Sequence, residues 1–517
     1  MINQDKTNKS LPDVSESYWL NSVSMRSFPK LNKDINVDVV IVGGGITGVT
    51  TAYLLAKSGL KIALLESDKL LNGTTGHTTA KITAQHGLIY HQLIKDIGIE
   101  QAMLYYQANF EALNFIRETI AHFEIDCEYS QQDAWVYAVT KKDQEKVEQE
   151  AKAYNQLGIK GTLVDSIPLD LAVNNALIMK DQAQFHPLKY LEQLVEQVTE
   201  MGGKIFEETT AVDIKKGQQP VVLTRDQAKV TANHVIVCSH FPFYEGLGLY
   251  SAKMYAERSY AIVAKVNKQI PAGLFISAAN PTRSLRKIAI NGEEMALIVG
   301  ENHKTGQGID TIKHYHALES FGQTILGIDS IKYRWSAQDL TTLDQIPYIG
   351  RITSGNPNVL IATGYRKWGI TNGTAATLLI TDLVNGKKNK YEELFKPARF
   401  NPIPSLKNLV VQNANVVEHL VKGKLQLSQI DPKTLSSDQG AIISIDGKRK
   451  GAYKDDQGKL HLIDTTCTHL GCEVEWNSGE RTWDCPCHGS RFSYTGDVVE
   501  GPAEKPLKKY DYNLHYS

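Results

Sequence analysis

Val37-Asp38-Val39-Val40-Ile41-Val42-Gly43-Gly44-Gly45-Ile46-Thr47-Gly48 is the stretch that decides the fold of the first two thirds of the chain. Six residues, β-branched but for Asp38, read as a fully buried parallel strand. The strand runs straight into glycines and a helix, Val49 to Ser58, which Gly59 ends. Lys61-Ile62-Ala63-Leu64-Leu65-Glu66 then gives a second strand, completing a βαβ unit. Gly43, Gly45 and Gly48 have the spacing of a dinucleotide fingerprint. The first permits the tight turn, the second lets backbone approach a pyrophosphate, and the third allows close helix–strand packing. The helix N-terminus faces the phosphate charge. Glu66, ending the second strand, can accept both ribose hydroxyl hydrogen bonds. FAD and NAD share this fingerprint, so it does not choose between them.

Working outward, the whole chain has 517 residues, 42% hydrophobic and 22% charged, with a formal net charge of −1. That length implies two or three domains. The balanced charge gives no electrostatic case for a nucleic-acid partner. No stretch approaches the roughly 18 apolar residues a spanning helix needs, so no transmembrane segment is expected. MINQDKTNKSLPDVSESYWL is polar where a signal peptide would be apolar, and the expected location is cytoplasmic.

Residues 1–36 read as an N-terminal extension without periodic pattern, and 91–160 as largely helical. His186-Pro187 opens a further helix, with proline at its first turn. Strands are expected at 204–214, 233–238 and 358–363, with short strands and turns over 255–335. Pro397, Pro402 and Pro404 mark a linker, 397–425, before an all-β domain, 426–517. The expected architecture is an α/β Rossmann-type nucleotide-binding domain over 37–396 with an interleaved α+β substrate part, then the C-terminal all-β domain. Within 37–396, about 37–90, 184–240 and 335–396 would bind the nucleotide, and about 91–183 and 241–334 the substrate.

Of six cysteines, Cys467, Cys472, Cys485 and Cys487 fall within 21 residues, whereas Cys127 and Cys238 stand alone and read as small buried hydrophobes. Clustered Cys with His points to metal rather than a disulfide framework. Cys467-Thr468-His469 and Cys485-Pro486-Cys487-His488 form a C-x-H-x15-C-x2-H pattern. Each loop supplies one thiolate and one imidazole from Cys467, His469, Cys485 and His488, the ligand set of a 2Fe–2S cluster with two Cys on one iron and two His on the other. A structural zinc site could use the same four groups, but zinc fingers pair Cys with Cys and His with His.

The strings CTHLGC and CPCHGS resemble the Rieske proteins of cytochrome bc complexes. The resemblance implies a disulfide between Cys472 and Cys487 and a cluster-directed hydroxyl at Ser490. It also implies a covering loop at Gly501-Pro502-Ala503. A tyrosine of that family is Phe492 here, which predicts a reduction potential below the respiratory subunits and above plant-type ferredoxins.

Gly73-Thr74-Thr75-Gly76, Gln184-Phe185-His186-Pro187-Leu188, Asp344-Gln345-Ile346-Pro347-Tyr348-Ile349-Gly350 and Gly364-Tyr365 to Gly369-Ile370-Thr371-Asn372-Gly373 resemble the D-amino-acid oxidase and glycine oxidase superfamily. The resemblance covers roughly residues 35–395 and implies FAD. Gly43, Gly45, Gly48, Glu66, Thr75, Val212, Gly364, Gly369 and Thr371 would hold it, with Val212 beside the adenine. Two departures matter. The family's W-x-G-x-R-P places a carboxylate-clamping Arg where this chain has Asp339. A carboxylate there suits a cationic amine, or is a solvated surface group. In sarcosine and dimethylglycine dehydrogenases, a His at the offset of His77 bonds covalently to the flavin. His77 lacks the preceding Trp, and a non-covalent polar contact is the plainer reading. No catalytic acid or base is assignable; Asp339, His77 and Lys81 are pocket candidates.

The flavin-plus-Rieske combination resembles bacterial YhfW-type oxidoreductases, which fixes an architecture and no substrate. The expected function is a dehydrogenase that oxidises a small substrate, an amine among the candidates. Electrons would pass singly from FAD to the cluster and on to an unknown acceptor, protein or quinone. A reductase running the other way and a redox sensor without turnover are the alternatives.

Overall fold

The computed structural model describes residues 11–399, 416 and 430–510, apart from 247, 309, 354 and 446. Most of the linker expected at 397–425, and the start of the last domain at 426, lie outside the described residues.

The Ile35–Val42 strand lies inside an eight-stranded sheet ordered Tyr348–Arg351, Val359–Thr363, Lys229–Val237, Ile35–Val42, Ile62–Leu65, Lys204–Phe206, to which the Ala211–Lys215 and Val221–Thr224 strands attach. Its central pairings are parallel. Val39 and Ile41 enter one apolar cluster and Val40 and Val42 another, so the strand's alternate residues feed two buried faces. That is why the run carries no polar alternation. Helices Ile46–Lys57, Pro187–Glu200 and Gly369–Val384 cover one face.

A nine-stranded sheet carries the interleaved part, in the order Ile328–Thr342, Met254–Val266, Glu293–Lys304, Arg283–Ile290, Leu274–Ser277, Ser130–Ala138, Asn175–Gln184, Lys81–Ile82, with Gly161–Val164 on Asn175–Gln184. The helical run expected over 91–160 is broken by the Ser130–Ala138 strand between helices Tyr90–His122 and Lys141–Gln156. The 255–335 region is made mostly of long strands and a helix, Ile312–Leu326, with one short strand, Leu274–Ser277, rather than of short strands and turns throughout. Four strands, not two, lie between 204 and 237.

Register in the longest pairing decides which side chains meet what. Glu257 opposes Asp339 and Ala261 opposes Trp335, while Arg258 opposes Gln338 and Tyr260 opposes Ser336. Side chains alternate along a strand, so these pairs fall on opposite faces. The Trp335 face packs into the core shared with the nucleotide-binding sheet. The Arg258 face meets the C-terminal domain.

That domain has two four-stranded antiparallel sheets. Tyr453, Ile463, Val474, Trp483, Phe492 and Leu507 pack around its cysteines. The N-terminal extension is anchored: Trp19 is 1% exposed and donates from Nε1 to the Thr78 carbonyl at 2.7 Å, and Ser17 Oγ donates to the Gly76 carbonyl at 2.5 Å. Among the described residues, no helix is long and apolar enough to cross a membrane.

Candidate redox site

The glycine turn is dictated by space. A Cβ on Gly43, whose φ is +111°, would lie 2.4 Å from the Cys238 carbonyl oxygen, and one on Gly48 would lie 1.8 Å from the Gly43 carbonyl oxygen. Gly45 caps the Ile46–Lys57 helix in an extended conformation; a Cβ there would reach 3.0 Å from Thr75 Oγ1. Thr75 Oγ1 in turn accepts from the Ile46 N–H at 3.0 Å. Glu66 holds the Gly44 N–H on Oε2 at 2.7 Å and Ser67 Oγ and the Asp68 N–H on Oε1. The Gly369–Val384 helix starts close by: Tyr365 OH lies 3.0 Å from Thr47 Oγ1, and a Cβ on Gly373 would meet Thr47 Oγ1 at 2.7 Å. Two helix N-termini therefore converge beside a cradle that any larger residue would fill, which fits an FAD pyrophosphate and ring. Gly364 makes its turn at φ +80°. Val212 lies on the Ala211–Lys215 strand, where its pairing with Val221–Thr224 shifts register. The Thr371 hydroxyl is engaged with the Thr83 carbonyl and with His86 Nε2, both at 3.0 Å.

In the C-terminal domain, Cys472 and Cys487 form a disulfide. Cys467 and Cys485 are buried thiols, free in the disulfide sense and in contact with each other. Cys485 beside it, more than any other group, holds the Cys467 thiol down to about 7, whereas Cys485 is pushed up by Cys467 and by burial. The His469 and His488 rings lie 5.0 Å apart at 89°, and the Nδ1 atom of each is buried without a partner. Burial pushes the His488 imidazole to about 4 and lowers that of His469, so both rings are neutral near pH 7. Two adjacent thiols and two orphaned imidazole nitrogens fit a Rieske 2Fe–2S cluster. They match a zinc fold less well, because the ligands arrive as one Cys and one His per loop.

Ser490, fully buried, accepts the Ala503 N–H on Oγ at 3.0 Å and hydrogen-bonds Cys467. Phe492 is buried without a hydroxyl to offer. Ser490→Ala is therefore expected to lower the cluster's midpoint potential while leaving its ligands and paramagnetic line shape in place. A redox titration followed by electron paramagnetic resonance reads this directly; an unchanged midpoint would remove Ser490 from the tuning of the cluster.

The wall between the two centres was not legible in the sequence. Gln338 Nε2 donates to the carbonyl of Gly489, next to His488, at 3.0 Å. The backbone carbonyl of Gln338 accepts from Thr74 Oγ1, beside Thr75, at 3.3 Å, and Thr74 Oγ1 lies 3.2 Å from His240 Nδ1. The next residue, Phe241, sets its ring 6.3 Å from that of His469, edge-on at 73°. Arg258, among the largest fully buried side chains, donates to Ser336 Oγ at 2.5 Å and to Glu500 Oε2 at 3.2 Å. Gly489 has φ +79°, and a Cβ there would strike Ala256 at 2.5 Å.

The three pocket candidates fare differently. Asp339 is no solvated surface group: it is half-buried, accepts the Lys367 N–H on Oδ1 at 3.1 Å, and burial pushes its carboxyl up. Glu257, opposite it in the sheet, lies 3.9 Å from Lys367 Nζ. Arg366 and Lys367, both at positive φ, form the turn that brings Lys367 there. His77 is tied by Nδ1 to the Gly73 carbonyl at 2.9 Å, a polar contact within its own turn, and burial lowers its pKa. Lys81 is buried and hydrogen-bonded to Ser284, and burial, with Arg286 second, pushes its ammonium to about 7.

Comparison with known proteins agrees with this geometry. Residues 38–383 match the FAD dependent oxidoreductase family, and residues 429–511 match the Rieske [2Fe-2S] domain. A Bacillus subtilis (strain 168) protein named YhfW and described as a Rieske 2Fe-2S iron-sulfur protein is 48% identical over 499 residues, 96% of this chain and 98% of that one. The gamma-glutamylputrescine oxidoreductase of Escherichia coli (strain K12) is 24% identical over 404 residues, 74% of this chain and 92% of that one. Among solved structures, glycine oxidase from Geobacillus kaustophilus superposes with a TM-score of 0.59 at 17% identity, covering 71% of this chain and 99% of its own. The cofactors are accordingly FAD and one Rieske-type 2Fe–2S cluster, and the chain belongs to the family of FAD-dependent oxidoreductases, with a Rieske domain joined behind its flavin fold.

Proposed function

We propose that this chain is a dehydrogenase that takes electrons from a small amine and delivers them through its own Rieske domain to an external protein or quinone. When bound, FAD accepts the substrate's electron pair with a hydride, and a 2Fe–2S cluster carries electrons singly. The observation that carries the reading is the shared wall. Thr74 adjoins the residue that meets the glycine turn, and Gln338, bonded to Thr74 through its backbone, holds Gly489 beside His488 through its side chain. A one-electron carrier seated against the flavin domain is of use if the final acceptor is not oxygen.

The amine rests on Asp339. Its carboxylate has no side-chain ion pair within 4 Å among the described residues, the Lys367 and His240 side chains acting on it only through space, and Glu257 stands opposite it in the sheet. Burial favours the neutral acid, and an arriving ammonium would restore the charge and gain a charge-assisted hydrogen bond. The gamma-glutamylputrescine oxidoreductase relative is named for an amine of this kind. Gly43, Gly45, Gly48, Glu66, Thr75, Val212, Gly364, Gly369 and Thr371 are proposed to hold FAD, and Cys467, His469, Cys485 and His488 the cluster. The chain's own part in the chemistry is to bind, orient and exclude water, and no side chain is required as a base.

The test is anaerobic titration of the loaded protein with amines and amino acids, reading flavin absorbance and the reduced Rieske signal. Bleaching by an amine followed by the cluster signal is expected. If no amine bleaches the flavin while an external donor reduces the cluster and then the flavin, the chain is a reductase. Asp339→Asn is expected to cut kcat/KM for the amine about ten- to hundredfold, the worth of a hydrogen bond to a charged group. An equal loss with an uncharged analogue would mean that Asp339 holds structure rather than substrate.

A further inference from the structure

A cavity of about 160 Å³ opens between the N-terminal extension and the nine-stranded sheet, lined by Trp19, Glu128, Gln184, Phe185, Arg286 and Glu294 among others. None of its lining residues belongs to the proposed flavin seat. Among these, Arg286 is only 2% exposed. Its Nε donates to the Thr79 carbonyl at 2.7 Å and its Nη1 to the Lys287 carbonyl at 3.4 Å, but its Nη2 is buried without any partner. Gln184, 9% exposed, donates from Nε2 to the same Lys287 carbonyl at 3.0 Å, and its Oε1 is likewise buried and unpartnered. A charged donor and a neutral acceptor, both buried and unsatisfied, thus belong to two residues that line the same cavity.

The acids around them are already committed. Glu128 pairs with Lys189 at 2.8 Å and Glu294 with Lys287 at 2.6 Å. The Trp19 ring, 5.5 Å from the guanidinium carbon, compensates the charge only in part. A buried cation without a bonded counter-ion is costly, and so is each buried polar atom left unmade.

We propose that this cavity binds a small carboxylic acid bearing a hydroxyl or amino donor, its carboxylate on Arg286 Nη2 and its donor on Gln184 Oε1. The volume equals roughly five waters of liquid, the size of such an acid. Burial pushes the Arg286 guanidinium down to about 9, and the Glu128 carboxylate offsets this only in part. This cavity stands independently of the amine reading of the flavin site.

The probes are glycolate and lactate against glycolamide and lactamide, at matched ionic strength, with the full FAD- and cluster-loaded chain. A saturable rise in thermal midpoint is expected with the acids and not with the amides. Gln184→Glu supplies an internal carboxylate: its midpoint without ligand should exceed the native one, and its response to lactate should vanish. Arg286→Met should also lose the response; if it fails to fold, Gln184→Glu decides. Equal shifts for acid and amide, or a native lactate response in Gln184→Glu, would overturn the site. Anaerobic mixing separates two sources of the same chemistry. An acid that stabilises and also bleaches the flavin carries the substrate's own carboxylate, and one that stabilises without bleaching is a separate ligand.

Discussion

Gly48→Ala is expected to purify without FAD and with its Rieske signal intact. A Cβ at position 48 would sit 1.8 Å from the Gly43 carbonyl oxygen, a backbone atom at the end of a strand bonded on both sides. No rotamer relieves a backbone clash, so the Ile46–Lys57 helix must move away from the strand. The turn that positions Gly45 and the Ile46 N–H moves with it. Overpacking in a core costs about 1–3 kcal/mol and occasionally more; here the displaced atoms are also the ones that would meet the pyrophosphate, so cofactor content falls further than stability. The Rieske domain has its own core around Trp483 and Phe492, which the change does not touch. Flavin-to-protein stoichiometry from absorbance, with paramagnetic resonance of the dithionite-reduced cluster alongside, checks both halves. Full FAD occupancy in this variant would take the glycine turn out of the binding site.

What could be read from the sequence were features whose cause is local. Val39 to Val42 are apolar without a break because both faces of their strand are covered, and the glycines follow because a turn, the proposed phosphate seat and a helix crossing succeed one another there. The cluster loops are legible for the same reason: each proposed ligand pair sits within four residues. The Ser130–Ala138 strand follows a helix of the expected period and carries Gln131, Gln132 and Asp133, so its strand character comes from partners at Leu274–Ser277 and Asn175–Gln184 rather than from its own pattern. Arg258, Gln338 and Gly489 meet across 80 to 231 residues of chain, and no periodicity announces such a meeting. The one local hint was an arginine amid strand-forming residues, Met254-Tyr255-Ala256-Glu257-Arg258-Ser259-Tyr260. That composition is equally compatible with an exposed edge. Asp339 was visible as a departure from the oxidase pattern, but whether it faced water or the interior depended on the register with Glu257.

Arg258→Met is expected to uncouple the two centres without emptying either. Contacts between domains of one chain resemble transient interfaces, so relative motion is the default unless something holds them. Here a buried fork is one part of the hold, beside the Thr311–Asn477, Tyr315–Glu480 and Arg334–Gly479 hydrogen bonds: Arg258 reaches Ser336 within its own sheet and Glu500 in the Rieske domain, and Glu500 also touches Arg491 at 3.4 Å and His240 at 3.7 Å. Truncating one partner of a buried, hydrogen-bonded charge pair at an interface typically costs about 2–5 kcal/mol. Glu500 remains 24% exposed and keeps Arg491, so water and that arginine absorb part of the loss, and the effect belongs at the low end, about 2 kcal/mol. Methionine fills most of the volume, which leaves the sheet and the flavin seat in place. Flavin bleaching by substrate should therefore keep its rate, while the cluster signal appears more slowly by an order of magnitude or more. Thermal unfolding should become broader than that of the native chain, as the two halves lose part of their contact. Arg258→Lys retains the charge but cannot bridge Ser336 and Glu500 together, and should fall between. Rapid-mixing absorbance followed by freeze-quench paramagnetic resonance measures both rates in one sample. A cluster that fills at the native rate in Arg258→Met would show that the seat of the Rieske domain is fixed elsewhere, with the Gln338–Gly489 contact the next place to cut.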